Sequence, residues 1–499
     1  MTAKLIDSLI DALNQENLRY CHWKSNFSLA ESLSGETDLD LLIDRKSLSR
    51  TLIILLEIGF KPAGTKSGLD PDGIFHYYGM DAPTGQLIHV HLFSSILTGE
   101  SFVKTHLLPF ENMLLENTYS IGTMKVASRA AELVIFIVRT FIKYGSLLDV
   151  LVLAGKAEML RDELAWLQNG SELSDSLALL NKYCPVLDEA LFLECLNVLK
   201  ENASLPKRIL LAQKVRRRLQ VYAKYHLPGL ASAYSQLLWE KTQRFLKRRR
   251  RNKSLKTGGV VIAFVGAEAT GKSTLVSETG NWLTQIFSTR IIHAGKPPST
   301  WVTAPLNAIL PLLRRFLPQL RTTRQDGKSA ASAEILLPTT SKGLSGLIYA
   351  VRSISLAWDR RQLLVQARYH AANGDIVICD RYPSENIGTM DSPRLQEDHD
   401  LGGFKGSLYN WLARLERRFY KEIPPPDMVL KLKVSIETAR QRNRDRIKLD
   451  KETDAYLEAR HRQSREWCMA GTKYLYEIDT EQSLPNTILT VKRKIWEVI

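Results

Sequence analysis

One short stretch of the chain has the residue types and spacing of a phosphate-binding loop. It fits the pattern G-x-x-x-x-G-K-[ST] and reads Gly266-Ala267-Glu268-Ala269-Thr270-Gly271-Lys272-Ser273-Thr274. The glycines let the backbone turn its N–H groups, and the start of the following helix, toward phosphate oxygens. Lys272 would bridge the outer phosphates, and the Ser273 hydroxyl would ligate magnesium. The stretch therefore predicts a site for ATP with Mg²⁺.

Two carboxylates near the N-terminus are also spaced so that they could bind a metal ion together. Asp38 and Asp40 flank Leu39, so on a strand their side chains project from the same face. Two carboxylates at that spacing repel one another unless a cation lies between them. Oxygen donors suit magnesium, so Asp38 and Asp40 predict a second magnesium site.

The elements around the phosphate-binding loop alternate between strand and helix patterns. The apolar run 260–265 precedes the loop, and a helical pattern over 275–283 follows it. Further runs at 289–293, 375–379, 428–434 and 475–479 predict strands separated by helices. This alternation predicts an α/β domain with a doubly wound parallel sheet, whose ligands bind at the C-terminal ends of the strands. Residues 301–345 show little pattern and predict a lid-like insertion.

The N-terminal half shows a different pattern. A helix over 5–17 is followed by the carboxylate strand and by a strand over 86–93 that contains His89 and His91. For these histidines a structural role is favoured over metal ligation. Apolar residues then recur at helical spacing from 127 to 219, which predicts a helical module. We predict domains at 1–125, 126–246 and 258–499, with a basic linker at 247–257.

Composition limits the partners of the chain. The 499 residues have 44% hydrophobic and 24% charged side chains and a net charge of +15, as in a globular protein with anionic partners. Five scattered cysteines argue against disulfides and a structural zinc site, and we expect a cytoplasmic location. The run Lys247–Arg251 is interpreted as a solvated linker or as a contact with an anionic membrane surface. Nucleic acid is not favoured as a partner, and a homodimer is compatible with the sequence.

Residues 258–499 resemble the thymidylate-kinase branch of the P-loop kinases. The resemblance rests on the loop 266–274, on Asp380-Arg381-Tyr382 at a strand end, and on a Pro-Pro-Asp427 turn that leads into an arginine-rich lid. It implies that Asp380 orients magnesium or accepts the proton of the acceptor. It also implies that Arg381 contacts phosphate and that Arg360 faces the acceptor. One face of the lid helix, with Arg440 and Arg444 or with Arg442 and Arg446, would meet the triphosphate.

The chain departs from that family where the acceptor would bind. Thymidylate kinases have Arg-Glu-Pro after the second strand, whereas this chain has Gly295-Lys296-Pro297. A lysine does not reproduce bidentate phosphate binding by arginine. The segment 383–394 also replaces the residues that read thymine. We therefore expect a different, anionic acceptor, with Arg360, Lys296 and Tyr382 as its contacts.

Residues 1–125 resemble nucleotidyltransferases of the DNA-polymerase-β type, which have a Gly-rich turn followed by D-x-D. Here the turn is at Gly35, and histidines stand on the strand where a third carboxylate is expected. The resemblance implies an α+β domain that binds a substrate or a nucleotide. For the whole chain we predict an ATP-dependent phosphotransferase acting on a small acceptor. The alternatives are an ATP-switched binding protein and a bifunctional nucleotidyltransferase and kinase.

Overall fold

The computed structural model describes most of the chain, in two compact units that span residues 1–251 and 252–499. The described residues are 2–65, 70–99, 103–145, 157–169, 172–201, 203–225, 252–305, 344–386, 391–398, 403–445 and 453–499, with single positions at 155, 229, 232, 234, 235, 239, 242, 308 and 389. The basic run 247–251 and most of the predicted lid-like insertion lie outside these residues.

The first unit combines a mixed sheet with a group of helices. Its helices are α1 Lys4–Gln15, α2 Leu29–Ser34, α3 Leu48–Ile58, α4 Glu111–Glu116, α5 Arg129–Tyr144, α6 Ala157–Gln168, α7 Leu173–Tyr183, α8 Glu189–Lys200 and α9 Leu205–Arg218. Its strands are β1 Tyr20–His22, β2 Leu39–Ile43, β3 Lys61–Gly64, β4 Ile74–Met80, β5 Leu87–Phe93, β6 Ile96–Thr98, β7 His106–Leu108, β8 Thr118–Ile121 and β9 Met124–Ala127. Strands β3-β4-β5-β2-β1-β9-β8 are neighbours in that order, and β6 pairs with β7.

The two faces of this sheet pack against different apolar cores. Successive side chains of a strand point to opposite faces, so neighbouring residues of β2 belong to different cores. On β2, Leu39, Leu41 and Ile43 belong to the apolar core that includes residues of α1 and α3. Leu42 points to the opposite face and joins a second core. Asp38 and Asp40 share the parity of Leu42, so the D-x-D pair lies on this second face.

The second core joins the sheet to the helices that follow it. It includes Trp23 and Phe93 from the sheet region together with apolar residues of α5, α6, α7, α8 and α9. Helix α5 is buried along most of its length, and its N-cap, Ser128, accepts a hydrogen bond from the N–H of Ala131. The predicted boundary at residues 125 and 126 therefore falls inside one packed unit. The nucleotidyltransferase-like fold itself stays a prediction.

The second unit is an α/β domain. Its elements are β10 Ser254–Leu255, β11 Val261–Gly266, α10 Lys272–Thr284, β12 Thr289–His293, α11 Leu344–Ala372, β13 Ile376–Asp380, α12 Gly403–Lys421, β14 Met428–Lys433, α13 Ile436–Arg444, α14 Asp454–Arg465, β15 Tyr474–Asp479 and α15 Leu484–Val498. Five parallel strands form a sheet in the order β12-β13-β11-β14-β15. The central strand is β11, so the loop that follows it opens at the middle of the C-terminal edge. The predicted parallel α/β architecture is confirmed.

Asp427, in the predicted Pro-Pro-Asp turn, holds the central strand through hydrogen bonds of its carboxylate. One carboxylate oxygen of Asp427 accepts the backbone N–H of Val261 at 2.9 Å. Arg368 of α11 donates to both oxygens, at 2.9 and 2.7 Å. Asp427 thus fixes the start of β11 to the long helix, which holds the strand that leads into the phosphate-binding loop.

Two further features concern the whole chain. Among the described residues, no helix combines the length and the apolar character that crossing a bilayer requires. All five cysteines are free thiols: Cys21, Cys184, Cys195 and Cys379 are buried, and Cys468 is exposed.

Candidate active site

The phosphate-binding loop turns sharply between β11 and α10. Gly271 has φ +87° and is the N-cap of α10, a left-handed conformation that favours glycine. Ala269 also adopts a left-handed φ, of +62°, although it has a Cβ. Such backbone strain in a non-glycine residue is concentrated at functional sites. The loop leads directly into a helix N-terminus, where N–H groups and the helix dipole favour an anion.

Lys272 and Ser273 occupy the first turn of α10. The Lys272 side chain is buried, and its Nζ donates to the carbonyl oxygens of Gly266 at 3.0 Å and Ala267 at 2.5 Å. The ammonium group therefore lies across the loop itself. Ser273 and Thr274 are exposed at the start of the helix, as the predicted phosphate and magnesium contacts require.

Asp380 lies beside the loop because β13 pairs in parallel with β11. The register places Asp380 opposite Phe264, and the N–H of Arg381 donates to the Phe264 carbonyl at 3.0 Å. The Asp380 carboxylate is 19% exposed, and His293 Nδ1 is 3.7 Å from its Oδ2. The strand pairing thus brings a partly exposed carboxylate to the same sheet edge as the phosphate-binding loop.

Arg381 connects the strand end to the loop. It has a left-handed φ of +72°, and its Nη2 donates to Oε1 of Glu268 at 2.9 Å. Its Nη1 is 3.6 Å from Oδ2 of Asp391. Burial alone would raise the pKa of Glu268, but the charges of Lys272 and Arg381 outweigh burial and lower it. Arg381 is therefore held between two carboxylates at the edge of the candidate site.

Arg360 has a different position from the one expected. It is fully buried, and all five of its N–H donors have protein partners. The Nε group donates to the Ala294 carbonyl, Nη1 to the Tyr420 hydroxyl and the Asp391 carbonyl, and Nη2 to the Gly295 carbonyl and Oδ1 of Asp391. In this structure Arg360 has no N–H group left for an acceptor. It holds the segment around Asp391 instead.

The other two residues predicted to contact the acceptor differ in their exposure to solvent. Tyr382 is buried, and its hydroxyl donates to the Pro424 carbonyl at 2.5 Å, so its place is structural. Lys296 is exposed, three residues beyond the end of β12. Of the three predicted acceptor residues, only Lys296 has the exposure that contact with an acceptor needs.

The predicted lid arginines pair with another helix. Arg440 Nη2 donates to Glu458, and its Nε is 3.6 Å from Asp454 Oδ2. Arg444 Nη2 is 4.0 Å from the same Asp454 oxygen. Both arginines of α13 are thus matched to acidic residues of α14.

Helix α14 contacts the phosphate-binding loop. His461 Nε2 is 3.1 Å from the Glu268 carbonyl oxygen, and burial, as the largest cause, lowers the pKa of His461. The neighbouring Arg460 is close enough to lower the pKa values of both Glu268 and Asp391. Our sequence interpretation missed these two residues. The signal was a second run of basic residues, Arg460, His461, Arg462 and Arg465, after the first arginine-rich helix.

The residues at the loop fit a magnesium ion. Ser273 supplies a hydroxyl and Asp380 a carboxylate, and oxygen donors of this kind are the ligands that Mg²⁺ prefers. With the nucleotide, a magnesium ion here would neutralise phosphate charge.

The carboxylate pair of the first unit does not fit a magnesium ion. Asp40 Oδ1 is 2.8 Å from Lys24 Nζ and 3.1 Å from His91 Nδ1, and Asp38 Oδ1 is 2.7 Å from His89 Nδ1. Burial would raise the pKa of Asp40, but Lys24 and His91 outweigh it and lower that pKa. The ammonium group of Lys24 therefore already neutralises the buried Asp40 carboxylate. Across the described residues no group of three His, Cys, Asp or Glu side chains is arranged to hold a metal ion.

Known proteins are similar to this chain over part of its length and at low sequence identity. No protein-family model matches the chain. Two Escherichia coli proteins, from strains K12 and O6:H1 and both named uncharacterized ATP-binding protein YghR, are 28% identical over 193 residues, which is 37% of this chain and 69% of theirs.

Solved structures of a deoxyadenosine kinase and a thymidylate kinase are also similar to about half of the chain. Deoxyadenosine kinase from M. mycoides with bound dATP has 18% identity and a TM-score of 0.28, covering 47% of this chain and 98% of that one. Thymidylate kinase from Candida albicans has 17% identity and a TM-score of 0.27, covering 48% and 92%. Scores this low do not establish a fold. The fold of the second unit rests on its own strand order and phosphate-binding loop.

Proposed function

We propose that the second unit is an ATP-dependent phosphotransferase. The observation that supports this most strongly is the register of β13 on β11, which puts the Asp380 carboxylate at the strand edge beside the phosphate-binding loop. A carboxylate there can hold magnesium and can also accept the proton of an acceptor hydroxyl, and only a phosphotransferase needs the second role. The likeness to an ATP-binding protein supports ATP as the nucleotide.

Each residue has a defined part in the proposed reaction. Backbone N–H groups of the loop and Lys272 bind the phosphates of ATP, and Ser273 and Asp380 hold magnesium, which spreads the charge of the transferred group. Asp380 also lies where it could accept the proton of an acceptor hydroxyl. Arg381 stabilises negative charge at the edge of the site. Glu268 and Asp391 keep its guanidinium in position.

We further propose an anionic acceptor other than thymidylate. Arg360, Arg381, Arg460 and Arg394 all act electrostatically on Asp391, so several cationic side chains lie near the candidate site. A cationic cleft concentrates anionic substrates. Phosphorylated sugars and nucleotides are the acceptor classes that match this charge. The nucleotidyltransferase-like domain, the cytoplasmic location, the membrane contact and the homodimer remain predictions from sequence.

Calorimetry tests the ATP site directly. Lys272→Ala removes the ammonium group that meets the outer phosphates, and we expect ATP affinity to fall by a factor of roughly 100 or more. The control is Lys421→Ala, which removes an exposed lysine of α12 and should leave ATP affinity unchanged. Unaltered ATP affinity in Lys272→Ala would exclude this loop as the site.

A second measurement tests the chemistry. Asp380→Asn keeps the shape of the side chain but removes its charge, so turnover should fall by roughly 10²- to 10⁴-fold while ATP affinity changes little. The readout is ATP consumption over a panel of nucleosides, nucleoside monophosphates and phosphorylated sugars. Thymidylate as the best substrate by a wide margin would contradict the proposed acceptor class. ATP binding without turnover on any acceptor would favour the ATP-switched binding protein.

A further inference from the structure

A cavity opens at one edge of the sheet in the first unit. Its volume is about 580 Å³, and apolar side chains of Leu97, Leu107 and Val221 line it beside charged and hydroxyl groups. Small-molecule sites generally enclose roughly 300–1,000 Å³ and combine an apolar lining with a few polar groups. The cavity therefore has the size and the lining of a site for a small molecule.

Strands β2, β4 and β5 bring the polar part of the wall together. β2 and β5 run parallel, so Arg45, which follows β2, and Ser95, which follows β5, lie at the same edge of the sheet. β4 is antiparallel to β5 and pairs Ile74 with Phe93, so Asp72 reaches that edge just before β4 begins. The D-x-D pair, near the start of β2, is not part of the lining. The cavity is thus a site separate from those carboxylates.

The segment 221–224 forms another part of the wall. Ala223 makes an antiparallel bridge with His106 of β7, and the N–H of Lys224 donates to the Thr105 carbonyl at 2.8 Å. The backbone therefore holds Lys224 at the cavity, although its side chain is exposed.

The charged groups of the wall are not paired with one another. Nε of Arg45 donates to the Ser94 carbonyl at 3.2 Å, which places the guanidinium at the cavity. Within the described part of the chain, its other N–H groups have no partner. Lys224 and Asp72 likewise form no ion pair with any described residue. The wall therefore offers two cations and one carboxylate to a ligand.

Ser95 adds a buried hydroxyl to this wall. The residue is 5% exposed, yet its hydroxyl makes no hydrogen bond to any described residue. A Cβ on Gly73 would lie 2.2 Å from the hydroxyl oxygen, so the glycine leaves that oxygen uncovered. A hydroxyl buried without a partner costs free energy, and a ligand that supplies the partner removes this cost.

We propose that this cavity binds a small polyhydroxylated molecule with one acidic group, such as a sugar phosphate or a sugar acid. Arg45 and Lys224 meet the acidic group, and the planar fork of the guanidinium fits two of its oxygens. Asp72 accepts hydrogen bonds from ligand hydroxyls, and the Ser95 hydroxyl both donates and accepts. The apolar side chains pack against the C–H groups of the ligand. The site belongs to the first unit and does not depend on the proposed kinase function.

Calorimetry with glucose 1-phosphate and with glucuronate tests the proposal on the full chain and separates a phosphate from a carboxylate as the acidic group. The Lys272→Ala background weakens anion binding at the phosphate-binding loop. We expect at least one of the two compounds to bind in this background, with an affinity that falls by roughly tenfold or more when Arg45→Gln is added. The matched control is Arg161→Gln, which removes an exposed arginine of α6 outside the lining and should have no effect.

Binding at the second unit would not respond to Arg45→Gln, so the two units are distinguished. Failure of both compounds to bind, or binding that is equal with and without Arg45, would overturn the proposal.

Ser95→Ala tests the site without changing its charge. Because the Ser95 hydroxyl has no protein partner, its removal should leave the melting temperature unchanged and weaken ligand binding severalfold. Unchanged affinity in this variant would contradict the site.

Glucose and inorganic phosphate test the two parts of the ligand separately. Each alone should bind more weakly than glucose 1-phosphate or glucuronate, whichever binds better. Inorganic phosphate that binds as tightly would show a general anion site and would overturn the assignment to a polyhydroxylated ligand. Glucose that binds as tightly would show that the cations are not used.

Discussion

Arg381 explains why a glycine stands at position 295. A Cβ on Gly295 would lie 2.7 Å from the Cδ of Arg381 and 3.1 Å from a ring carbon of His293. Glu268 and Asp391 hold the Arg381 guanidinium, so the stem of the side chain cannot move away without breaking those contacts. The arginine that thymidylate kinases have at this place would therefore compete with Arg381 for the same space.

The substitution Gly295→Ala tests this arrangement. The added methyl group should displace Arg381 from the loop, and turnover should fall by roughly ten- to a hundredfold because a small misplacement of a charged group is costly in the transition state. ATP affinity should change by less than threefold, roughly, since the loop itself is untouched. Steady-state kinetics and calorimetry measure the two quantities. Normal turnover in this variant would show that the position of Arg381 does not matter.

Glu132 predicts a pH dependence of stability in the first unit. Burial raises its pKa from 4.5 to about 7, although its carboxylate also accepts the N–H and the amide of Asn26. The folded state therefore keeps a proton that the unfolded state loses above pH 4.5. The free energy of unfolding should fall as the pH rises from 4.5 to about 7, by up to about 3 kcal/mol, and then level off.

Glu132→Gln isolates this effect because glutamine does not titrate. Urea unfolding of both proteins at about pH 5 and about pH 8 should show a smaller pH dependence in the variant. The other titrating groups are common to both proteins and cancel in the comparison. An identical pH dependence would mean that Glu132 has an ordinary pKa.

At the scale of elements, α14 reaches the phosphate-binding loop. His461 is a positioning residue in this view: its neutral Nε2–H holds the Glu268 carbonyl and thereby fixes the strained turn at Ala269. We expect His461→Ala to weaken ATP binding by roughly two- to tenfold, the range of one hydrogen bond. His461→Gln should restore most of the affinity because it keeps a side-chain N–H donor.

The neighbouring substitution Arg462→Ala is the control, since Arg462 is exposed on the same helix. It changes the charge of α14 without touching the contact at Glu268. Calorimetric titration with ATP compares the three variants. Equal losses in His461→Ala and Arg462→Ala would point to the charge of the helix rather than to the contact.

The elements differ in how far the sequence predicts them. The phosphate-binding loop and the parallel strands are encoded locally, by a motif and by apolar runs with helices between them, so they could be predicted. The pairing of Arg360 with Asp391 joins residues of α11 and of an irregular segment, and the docking of α14 joins residues 461 and 268. No local pattern encodes such contacts. Arg360 and Tyr382 have the residue types of ligand contacts, yet burial makes both structural.

The same distinction applies to the D-x-D pair. The spacing of Asp38 and Asp40 correctly predicted that both carboxylates share a sheet face. It could not show that Lys24, which follows β1, neutralises Asp40, or that His91 of β5 lies 3.1 Å from the same carboxylate oxygen. A metal cation was expected between the carboxylates, and the ammonium group of Lys24 lies beside Asp40 instead.

At the scale of the whole molecule, each unit has its own apolar core. A buried cluster that includes Trp23 and Phe141 lies in the first unit, and one that includes Val265 and Cys379 lies in the second. A domain with its own core can fold alone. Residues 1–251 and 252–499 produced separately should therefore both unfold cooperatively on heating, and only the second should bind ATP through Lys272.

Circular dichroism and calorimetry check this prediction. The isolated first fragment, incubated with labelled nucleoside triphosphates and Mg²⁺ or Mn²⁺, also tests the nucleotidyltransferase resemblance, and transfer that requires Asp38 and Asp40 would support it. A fragment that fails to unfold cooperatively would show that the chain folds as one unit.

The distribution of thiols gives the protein a built-in attachment point for a probe. Burial raises the pKa of Cys184 to about 11 and of Cys195 to about 12, and it also raises the pKa values of Cys21 and Cys379, so these four react slowly. Cys468 is exposed, and its backbone N–H and carbonyl both hydrogen-bond to the Ser384 hydroxyl, four residues beyond Asp380. A maleimide fluorophore should therefore attach at one position without any cysteine being removed, and its emission would follow the strand end as nucleotide binds.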